Sequence, residues 1–552
     1  MSPLRRASTL GADLKAGVVL GVESVPDGLA AGLLAGVNPA FGLYGYLVGT
    51  FTGGLSTSSV FMTVQATGAM AVIIADVPEV HHGTQATTAL FTLSVLTGVV
   101  MLALGLARMG RLVRFVPNAV LTGFINAVAV NIVLGQLATF TGYAATGNNR
   151  VTRAVQTLLH VGSFHWPTFA IGVATLVLII LLERTPLGSL GLVVALVVTS
   201  AMVAIGHLGS VQVLSDIADI PTSLPRPVLP SLRLATDLVV PALSLALVGL
   251  VQGAAISNSI PNPDGRYPDA SGDFRGQGIA NIASGLLQGM PVGGSMSATS
   301  LVTTAGARTR LATVSAGVVM GVTFLVFAGP IRSIAMPALA ALLILIGVRT
   351  FKPANVAMVW RTGVSQATVM VTTFGLTLLI PLQYAVLVGV GLSVVLYVAQ
   401  QSNRVRVVRW VFPDPGGPPH EAAVPAELPA GEVVVLQPYG SLFFAAAPVL
   451  EDQLPAVTAR SRGSVVVLRL RGKEELGSTF LTVVRRYALA LAEVDSRLML
   501  AGVSDSVSRQ LVATRTVEAL GAGAVFPATH QVTASVSDAV AAAEAWRAGQ
   551  AG

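Results

Sequence analysis

The chain contains no cysteine among its 552 residues. Without thiols it can form neither disulfide bonds nor thiolate metal sites, and it cannot use a cysteine nucleophile. The adjacent His81 and His82 have no further ligand at a spacing that suits zinc. The sequence also lacks a Walker A motif, a G-x-S-x-G elbow and an H-E-x-x-H motif. We therefore predict no metal site, no cofactor, no ATP-driven step and no enzyme activity.

Charged residues are scarce as well. They make up 11% of the chain against 53% hydrophobic residues, and the mean hydropathy is +0.74. This composition excludes a soluble globular protein. The net charge of +7 and the sequence pI of about 10.0 come from loops between apolar segments, so they give no reason to expect a nucleic-acid partner. The expected surroundings are a lipid bilayer.

Long apolar stretches predict fourteen membrane segments, since about 20 residues are needed to cross the hydrocarbon. Seven lie in the first half: Leu14–Gly36, Phe41–Leu55, Val60–Ala75, Thr87–Ala107, Pro117–Thr141, Phe169–Leu182 and Leu190–Ile205. Seven lie in the second half: Leu238–Ile260, Gly276–Met290, Ser297–Thr304, Leu311–Phe327, Ile331–Gly347, Ser365–Ile380 and Gln383–Gln400. The third member of each set contains a short polar stretch, which indicates a repeat.

The distribution of Lys and Arg tests this topology, because these residues accumulate in cytoplasmic loops. With the N-terminus inside, seventeen fall inside: Arg5, Arg6, Lys15, Arg108, Arg111, Arg114, Arg184, Arg266, Arg275, Arg308, Arg310, Arg349, Lys352, Arg361, Arg404, Arg406 and Arg409. Five fall outside: Arg150, Arg153, Arg226, Arg233 and Arg332. Seven segments per half make the two repeats inverted relative to each other. The predicted fold is an α-helical polytopic membrane protein with both termini cytoplasmic.

The chain divides into three predicted parts. A transmembrane domain covers residues 1–402, with repeat one at about 10–207 and repeat two at about 237–402, and a Pro/Gly-rich linker covers residues 403–430. Residues 431–552 alternate strand and helix patterns, which predicts a small cytoplasmic α/β domain. We expect its strands at Val433–Gln437, Val465–Arg469, Leu498–Val503 and Val525–Phe526, and its helices at Thr479–Val494, Ser506–Leu520 and Thr533–Trp546. No cleavage site for a signal peptide is predicted near the N-terminus.

Two acids stand near the centre of the first segment, on either side of Pro26. Glu23 and Asp27 are four residues apart, and acids at membrane depth usually belong to ion or proton pathways because a charge there is costly. Glu23 is the candidate for proton coupling. For Asp27 the alternative is local, namely a bond to an N–H freed beside Pro26 or to a neighbouring hydroxyl.

A Gly/Ser/Thr-dense region from Gly276 to Ala312 interrupts the apolar pattern of the second half. Broken helices at membrane depth persist where they are buried in protein or line a cavity, and in transporters they hold the substrate. We predict that half-helices beginning around Gln65–Gly68 and Ser295–Ser300 direct their N-terminal N–H groups at an anion. The residues expected to line this site are Gln65, Ala66, Thr67, Gly68, Gly293, Gly294, Ser295, Ser297, Ala298, Thr299 and Ser300. Close helix packing is the alternative role for such small residues.

Three regions resemble the SulP (sulfate permease) anion transporters. One is Asp13-Leu-Lys-Ala-Gly through Pro26 to Ala35-Gly36-Val-Asn-Pro-Ala-Phe-Gly-Leu-Tyr-Gly; another is Gly276-Gln-Gly-Ile-Ala-Asn-Ile to Ala305-Gly-Ala-Arg-Thr-Arg-Leu-Ala. The third is the C-terminal region, which resembles a STAS domain. The resemblance implies core and gate domains, a small anion bound between the third and tenth segments, and a homodimer.

The chain departs from this family at several positions. Ala298 stands where family members often have an arginine, so the resemblance predicts an anion site without its central cation. Gln65 and Ala66 replace a Gly-Pro pair, which makes Gln65 a candidate donor to the substrate. Gln252 in the eighth segment stands where an acid is frequent, which argues against a sodium site there.

The STAS-like region departs as well. In Leu476-Gly477-Ser478-Thr479, the residue Gly477 stands where an acid precedes the phosphorylated serine of anti-sigma antagonists. Ser478 is therefore expected to be a helix N-cap, with phosphorylation as the alternative.

Together these features predict proton-coupled symport of a dicarboxylate, bicarbonate or sulfate across a bacterial cytoplasmic (inner) membrane by alternating access. A nucleobase or ascorbate transporter of the same fold, a channel-like protein, and a non-transporting membrane scaffold or sensor are the alternatives.

Overall fold

The structure is a computed structural model that describes residues 3–110, 117–147, 149–221, 223–380, 382–402, 405–412, 419–440, 442 and 446–550. Three residues of the topology prediction, Arg111, Arg114 and Arg404, lie outside the described residues, as does the stretch 413–418 of the predicted linker. Contacts within the chain define two compact units, Met1–Ser393 and Val394–Gly552.

Sixteen helices are described up to residue 402, and two short strands lie among them. The helices are α1 (Pro3–Leu34), α2 (Pro39–Ser56), α3 (Gly68–Ala75), α4 (Ala86–Leu106), α5 (Asn118–Thr141), α6 (Arg150–Leu159), α7 (Trp166–Glu183), α8 (Gly191–Ile205), α9 (Ala235–Ser259), α10 (Ala270–Leu286), α11 (Met296–Thr304), α12 (Leu311–Arg332), α13 (Met336–Thr350), α14 (Pro353–Thr362), α15 (Val364–Leu379) and α16 (Leu382–Ser402). The strands are β1 (Thr63–Gln65) and β2 (Gly293–Ser295).

The order of elements repeats between α1–α8 and α9–α16. In each half, the third helix is short and follows a three-residue strand: α3 has 8 residues and α11 has 9. Each half also contains a ten-residue helix, α6 or α14, after its fifth membrane segment. The sequence missed α6 and α14, because ten residues with one apolar face are too short to resemble a span. Fourteen segments in two repeats are thus the fold of the chain.

Among the described residues, eight helical stretches are long and apolar enough to cross a membrane by length and composition. They are Thr9–Leu34, Ala86–Leu106, Asn118–Thr141, Trp166–Glu183, Gly188–Ile205, Leu232–Ser259, Leu311–Arg332 and Met336–Thr362. The short α3 and α11 fall below this length because each crosses only part of the bilayer as helix.

The helices pack in two bundles. The first contains α1–α4 and α9–α12, and the second contains α5–α8 and α13–α15. The bundles meet where α1 contacts α8 and α13, and where α3 contacts α5. This division matches the expected core and gate arrangement, with both short helices in the first bundle.

The predicted interruption at Gly276–Ala312 was too wide, and its first part overlaps the predicted membrane segment Gly276–Met290. Residues 276–286 continue α10, which begins at Ala270, so the helical path breaks only from Leu287 to Ser295 and again between α11 and α12. The glycines of α10 misled the prediction, because they permit close packing within a regular helix. Gly278 shows this, since a Cβ there would lie 2.7 Å from the Leu102 nitrogen of α4.

The second unit contains a six-stranded sheet. Its strands are β3 (Arg406–Val411), β4 (His420–Ala422), β5 (Val433–Tyr439), β6 (Val465–Arg469), β7 (Arg497–Val503) and β8 (Val525–Pro527), in the order β4-β3-β5-β6-β7-β8. Strands β5 to β8 are parallel, and β3 joins antiparallel to both β4 and β5. The four strands expected from the sequence are present, whereas β3 and β4 lie within the segment predicted as the linker.

The helices of this unit are α17 (Ala447–Glu451), α18 (Ser478–Ala492), α19 (Asp505–Ala513), α20 (Thr516–Leu520) and α21 (Ala534–Gln550). The helix predicted at Ser506–Leu520 is divided into α19 and α20, because Arg515 adopts a left-handed conformation with φ 54° that ends the α-helical path. A buried apolar core underlies the sheet.

Candidate functional site

A two-stranded antiparallel ribbon lies where the third and tenth segments cross. Its register pairs Thr63 with Ser295, Val64 with Gly294 and Gln65 with Gly293. Helix α3 follows one strand and α11 follows the other. Because the strands are antiparallel, the two helices begin near opposite ends of the ribbon.

Both helices begin with the same cap. The Met70 N–H donates to Thr67 Oγ1 at 3.4 Å in α3, and the Ala298 N–H donates to Ser295 Oγ at 3.4 Å in α11. The N–H groups of the first two residues in each helix have no intrahelical acceptor. Each half-helix therefore presents two N–H groups that have no intrahelical partner and carry partial positive charge, which is the arrangement that binds anions.

Helix α10 holds the β2 strand through its side chains. The Asn281 amide donates to the Val292 carbonyl at 2.6 Å and accepts from the Val292 N–H at 2.8 Å. The Gly294 N–H donates to Gln277 Oε1 at 2.9 Å. A Cβ on Gly294 would lie 3.0 Å from Ile256 Cδ1 and 3.2 Å from Gly253 Cα. Gly294 therefore permits the ribbon to approach α9, which is the packing role that the sequence left open.

The predicted polar residues of the third segment contact neighbouring helices. Gln65 is buried and donates through Nε2 to Ser24 Oγ of α1 at 2.9 Å. The Thr67 hydroxyl donates to Gln252 Oε1 of α9 at 3.0 Å. The cap residue of α3 is thus bonded to Gln252, which stands where the resembling family often has an acid. Ser24 was not recognised from the sequence, although it lies directly after Glu23.

The predicted residues of the tenth segment divide into two groups. Thr299 is fully buried; its hydroxyl accepts from the Thr63 N–H at 3.0 Å and donates to the Ser295 carbonyl at 2.6 Å. Ala298 packs in a buried apolar cluster with Ala16 and Leu20 of α1. Ser297 and Ser300, in contrast, are exposed.

Two predicted residues that follow β1 contact other parts of the protein. Ala66 is buried in the main core of the membrane unit. Gly68 is the first residue of α3, and a Cβ there would lie 2.8 Å from Ile132 Cδ1 of α5. This position therefore lies at a contact between the two bundles.

Glu23 and Asp27 lie on α1 on either side of Pro26. Glu23 shares a hydrogen bond with the Ser189 side chain, which precedes α8, while its Oε2 atom is buried and has no partner among the described residues. The Asp27 Oδ1 atom is also buried without a partner among the described residues. Because Ser24 bonds Gln65, both acids lie within a turn of the α1 contact with the ribbon.

A buried carboxylate that the sequence analysis missed holds the loop before β1. Asp273 accepts from Ser58 Oγ at 2.9 Å, from the Ser59 N–H at 2.6 Å and from Ser257 Oγ. It is 1% exposed. The available signal was an acid in the first turn of α10, but the segment was predicted to begin only at Gly276.

The loop after α11 is held in a similar way. The N–H groups of Arg308 and Thr309 donate to Asp13 Oδ1 at 2.6 and 3.0 Å. The Arg310 guanidinium donates to the carbonyls of Thr57 and Ser58. Arg310 thus links the loop after α11 to the loop before β1.

Ser478 in the second unit is the first residue of α18, and Gly477 is the N-cap. The expected N-cap role of Ser478 is therefore wrong, because Gly477 has the extended backbone (φ −67°, ψ 151°) that a cap residue requires. Ser478 is exposed. Nearby, Lys473 follows β6, and burial lowers the pKa of its ammonium group.

Comparison with known proteins extends these observations. The sequence profile of the Sulfate permease family matches residues 10–373. The putative sulfate transporter YbaR of Bacillus subtilis (strain 168) is 29% identical over 71% of this chain and 77% of its own length. The murine Solute Carrier 26 family member A9 anion transporter in the inward-facing state has a TM-score of 0.82 and 18% identity over 97% of this chain and 91% of its own. The transmembrane domain of a cyanobacterial bicarbonate transporter, BicA, has a TM-score of 0.59 and 23% identity over 70% of this chain and 97% of its own.

Proposed function

Because the chain belongs to the sulfate permease family, and is therefore a membrane transporter and not an enzyme, we propose that it carries small anions by proton-coupled symport. The same family match favours an anion permease over the nucleobase or ascorbate transporter that the sequence left open.

One observation carries the proposed anion site. Two helix N-termini begin at the β1–β2 ribbon, and the cap hydroxyl of each bonds the third N–H of its helix, which leaves the first two N–H groups free. Neither the third nor the tenth segment contains Lys or Arg. The anion is therefore held by backbone dipoles. The Ser297 hydroxyl of α11 is exposed and lies 3.2 Å from the cap hydroxyl of Ser295, so it can also reach the anion.

Proton coupling rests on Glu23 and Asp27. A site without a fixed cation leaves the charge of a bound anion uncompensated, and a proton on a neighbouring carboxyl group offsets one unit of it. Glu23 lies on α1 next to Ser24, which bonds Gln65 of the ribbon. Since each acid has a buried oxygen without a described partner, the neutral form of each costs less than the charged form. We assign the transported proton to Glu23, with Asp27 as an auxiliary.

The substrate class follows from the same chemistry. Sulfate, bicarbonate and dicarboxylates all suit a site of N–H groups and hydroxyls, and we favour a carboxylate-bearing anion because a softly charged ligand is released more readily from a site without a cation. We further propose that the protein is a homodimer in the bacterial cytoplasmic membrane with both termini cytoplasmic, in keeping with the excess of Lys and Arg in the inside loops.

Uptake into proteoliposomes tests the proposal. A panel of sulfate, bicarbonate and C4-dicarboxylates is measured with and without an imposed pH gradient. We expect Glu23→Gln to abolish gradient-driven uptake while anion binding persists, because Gln cannot release a proton but keeps the shape of the side chain. Glu79→Gln, in a turn between α3 and α4, is the matched control and should behave as the parent protein.

Other outcomes distinguish the alternatives. Gradient-driven uptake that is unchanged in Glu23→Gln would contradict the proton assignment. Absence of flux for every anion in the panel would favour a scaffold or sensor, and flux that neither saturates nor follows the pH gradient would favour a channel.

A further inference from the structure

A cavity of about 430 Å³ lies between α1, α8 and α12. Its walls include Val25, Leu196 and Ile331, each no more than 5% exposed, together with the larger side chain of Phe327. All three helices belong to the candidate membrane spans. None of the described residues that line the cavity is charged.

Two helix irregularities border this cavity. Helix α12 departs from helical geometry at Phe327 (φ −108°, ψ 19°) and contains Pro330, while α1 contains Pro26. Proline removes one backbone hydrogen bond and bends a helix. The bends at Pro26 and at Phe327–Pro330 lie in the walls of the cavity, because all three residues line it. Residues within these two helices therefore contribute to the space between them.

The chemistry of the walls restricts what the cavity holds. Its three hydroxyl residues are Ser200, Thr323 and Ser333, and Ser200 Oγ already accepts from the Ala335 N–H at 3.0 Å. Water requires about two to four polar partners, and an anion requires more donors than these walls provide. An unfilled space of this size would leave its lining without packing contacts on one side. The complementary occupant is therefore hydrocarbon.

The cavity is continuous with the surface that faces the bilayer. Val197 and Phe327 form part of its wall and are 63% and 53% exposed, and the neighbouring Val326 is 66% exposed. In a membrane-spanning helix such exposed apolar side chains contact lipid chains. We propose that one acyl chain of a membrane phospholipid inserts into this cavity and is a bound component of the protein.

An acyl chain in this cavity would contact helices of both bundles. Helices α1 and α12 belong to the first bundle and α8 to the second. The acyl chain thus contacts both bundles and takes the place of side-chain packing between them. The volume falls within the range of about 300–1,000 Å³ that is typical of small-molecule sites.

Photolabelling of the full-length protein tests this site. The protein is reconstituted in vesicles of phosphatidylethanolamine and phosphatidylglycerol that contain a trace of phosphatidylglycerol with a diazirine in the middle of one acyl chain. After illumination, mass spectrometry locates the labelled residues. We expect label on Val25, Leu196 and Ile331, which bulk lipid cannot reach because they are buried.

A cavity-filling variant supplies the second measurement. Ala201→Phe places a ring in the cavity and should reduce the label on Leu196 and Ile331 severalfold, and Ala204→Phe serves the same purpose if the first variant does not fold. Ala103→Phe, on the exposed face of α4, is the control and should leave the label unchanged. Absence of label on these buried residues, or label that Ala201→Phe and Ala204→Phe leave unchanged, would overturn the proposal.

Discussion

At the scale of single residues, burial separates the hydroxyls that build the site from those that remain available to a ligand. Thr299 accepts from Thr63 and donates within its own helix, so its hydroxyl is already used. Ser297, two residues earlier, is exposed. The direct contacts of the proposed anion are therefore backbone N–H groups and exposed hydroxyls, while buried hydroxyls set the geometry of the ribbon.

The orientation of Ala298 leads to a prediction about where a cation can be introduced. Its side chain packs against Ala16 and Leu20, so Ala298→Arg would bury a guanidinium without a partner, at a cost of several kcal/mol. We expect this variant to lower the midpoint of thermal unfolding strongly. Ser297→Arg should fold normally and bind anions more tightly, because residue 297 is exposed beside the free N–H groups. Unfolding curves and equilibrium binding of the purified variants check both expectations, and a stable Ala298→Arg protein would contradict the first.

At the scale of elements, the ribbon depends on close backbone approach and on buried anchors. Gly294 lets β2 approach α9 closely. Two side chains of α10 bond the backbone here: Asn281 bonds Val292, just before β2, and Gln277 bonds Gly294. Asp273 performs a similar function for the loop that leads into β1. The two half-helices are thus positioned by neighbouring helices of their own bundle.

Gly294→Ala should weaken anion binding. Its Cβ would contact Ile256 Cδ1 at 3.0 Å and Gly253 Cα at 3.2 Å, and overpacking of this kind costs about 1–3 kcal/mol. The ribbon would shift away from α9 and carry the N-terminus of α11 with it. Gly375→Ala in α15 is the matched control, because a Cβ added there would have no atom within 4 Å. A rise in the KM for uptake with Gly294→Ala alone is the expected result; equal kinetics in both variants would show that the approach to α9 is unimportant.

Asp273→Asn tests the anchor of the loop before β1. Asn keeps an oxygen for the Ser58 and Ser59 donors but removes the negative charge. Hydrogen bonds to a charged acceptor contribute about 1.5–3 kcal/mol, against about 0.5–1.5 kcal/mol for neutral pairs, so the anchor weakens. We expect a lower unfolding midpoint and reduced uptake. Asp237→Asn, at an exposed acid in the first turn of α9, should leave both unchanged. An unaltered unfolding midpoint in Asp273→Asn would exclude the anchoring role.

At the scale of the whole molecule, both half-helices belong to one bundle, whereas α5, α8 and α13 belong to the other. Alternating access by movement of one bundle past the other would carry the ribbon and its proposed anion as a unit. The contact of α3 with α5 would then change during each cycle. The packing of Gly68 against Ile132 marks this contact.

The absence of cysteine makes this movement directly testable. In the double variant Gly68→Cys with Ile132→Cys, bridging of the two thiols by Hg²⁺ should stop uptake, and excess dithiothreitol should restore it. Each single variant has one thiol, which binds Hg²⁺ but cannot bridge the two bundles, so its uptake should persist. The parent chain has no thiol and should not respond to Hg²⁺. Continued uptake after complete bridging would contradict relative movement of the two bundles at this contact.

The sequence by itself determined the properties that depend on neighbouring residues. Hydrophobic runs of membrane length, polar interruptions in matching places and the strand–helix alternation after residue 431 predicted the repeats, the short α3 and α11, and four of the six strands in the sheet of the second unit. These features depend on local periodicity and on the cost of unpaired backbone in lipid, which act over a few residues. The family motifs are equally local.

Only the tertiary structure decided which predicted site residues bond within the protein and which remain exposed to a ligand. Thr63 and Thr299 are 236 residues apart in the chain yet share a hydrogen bond, and Asp273 bonds a loop more than 200 residues earlier. Local pattern carries no information about such pairs, because helix packing brings them together. The same packing turned Ala298 toward α1 and left the cavity beside Pro26.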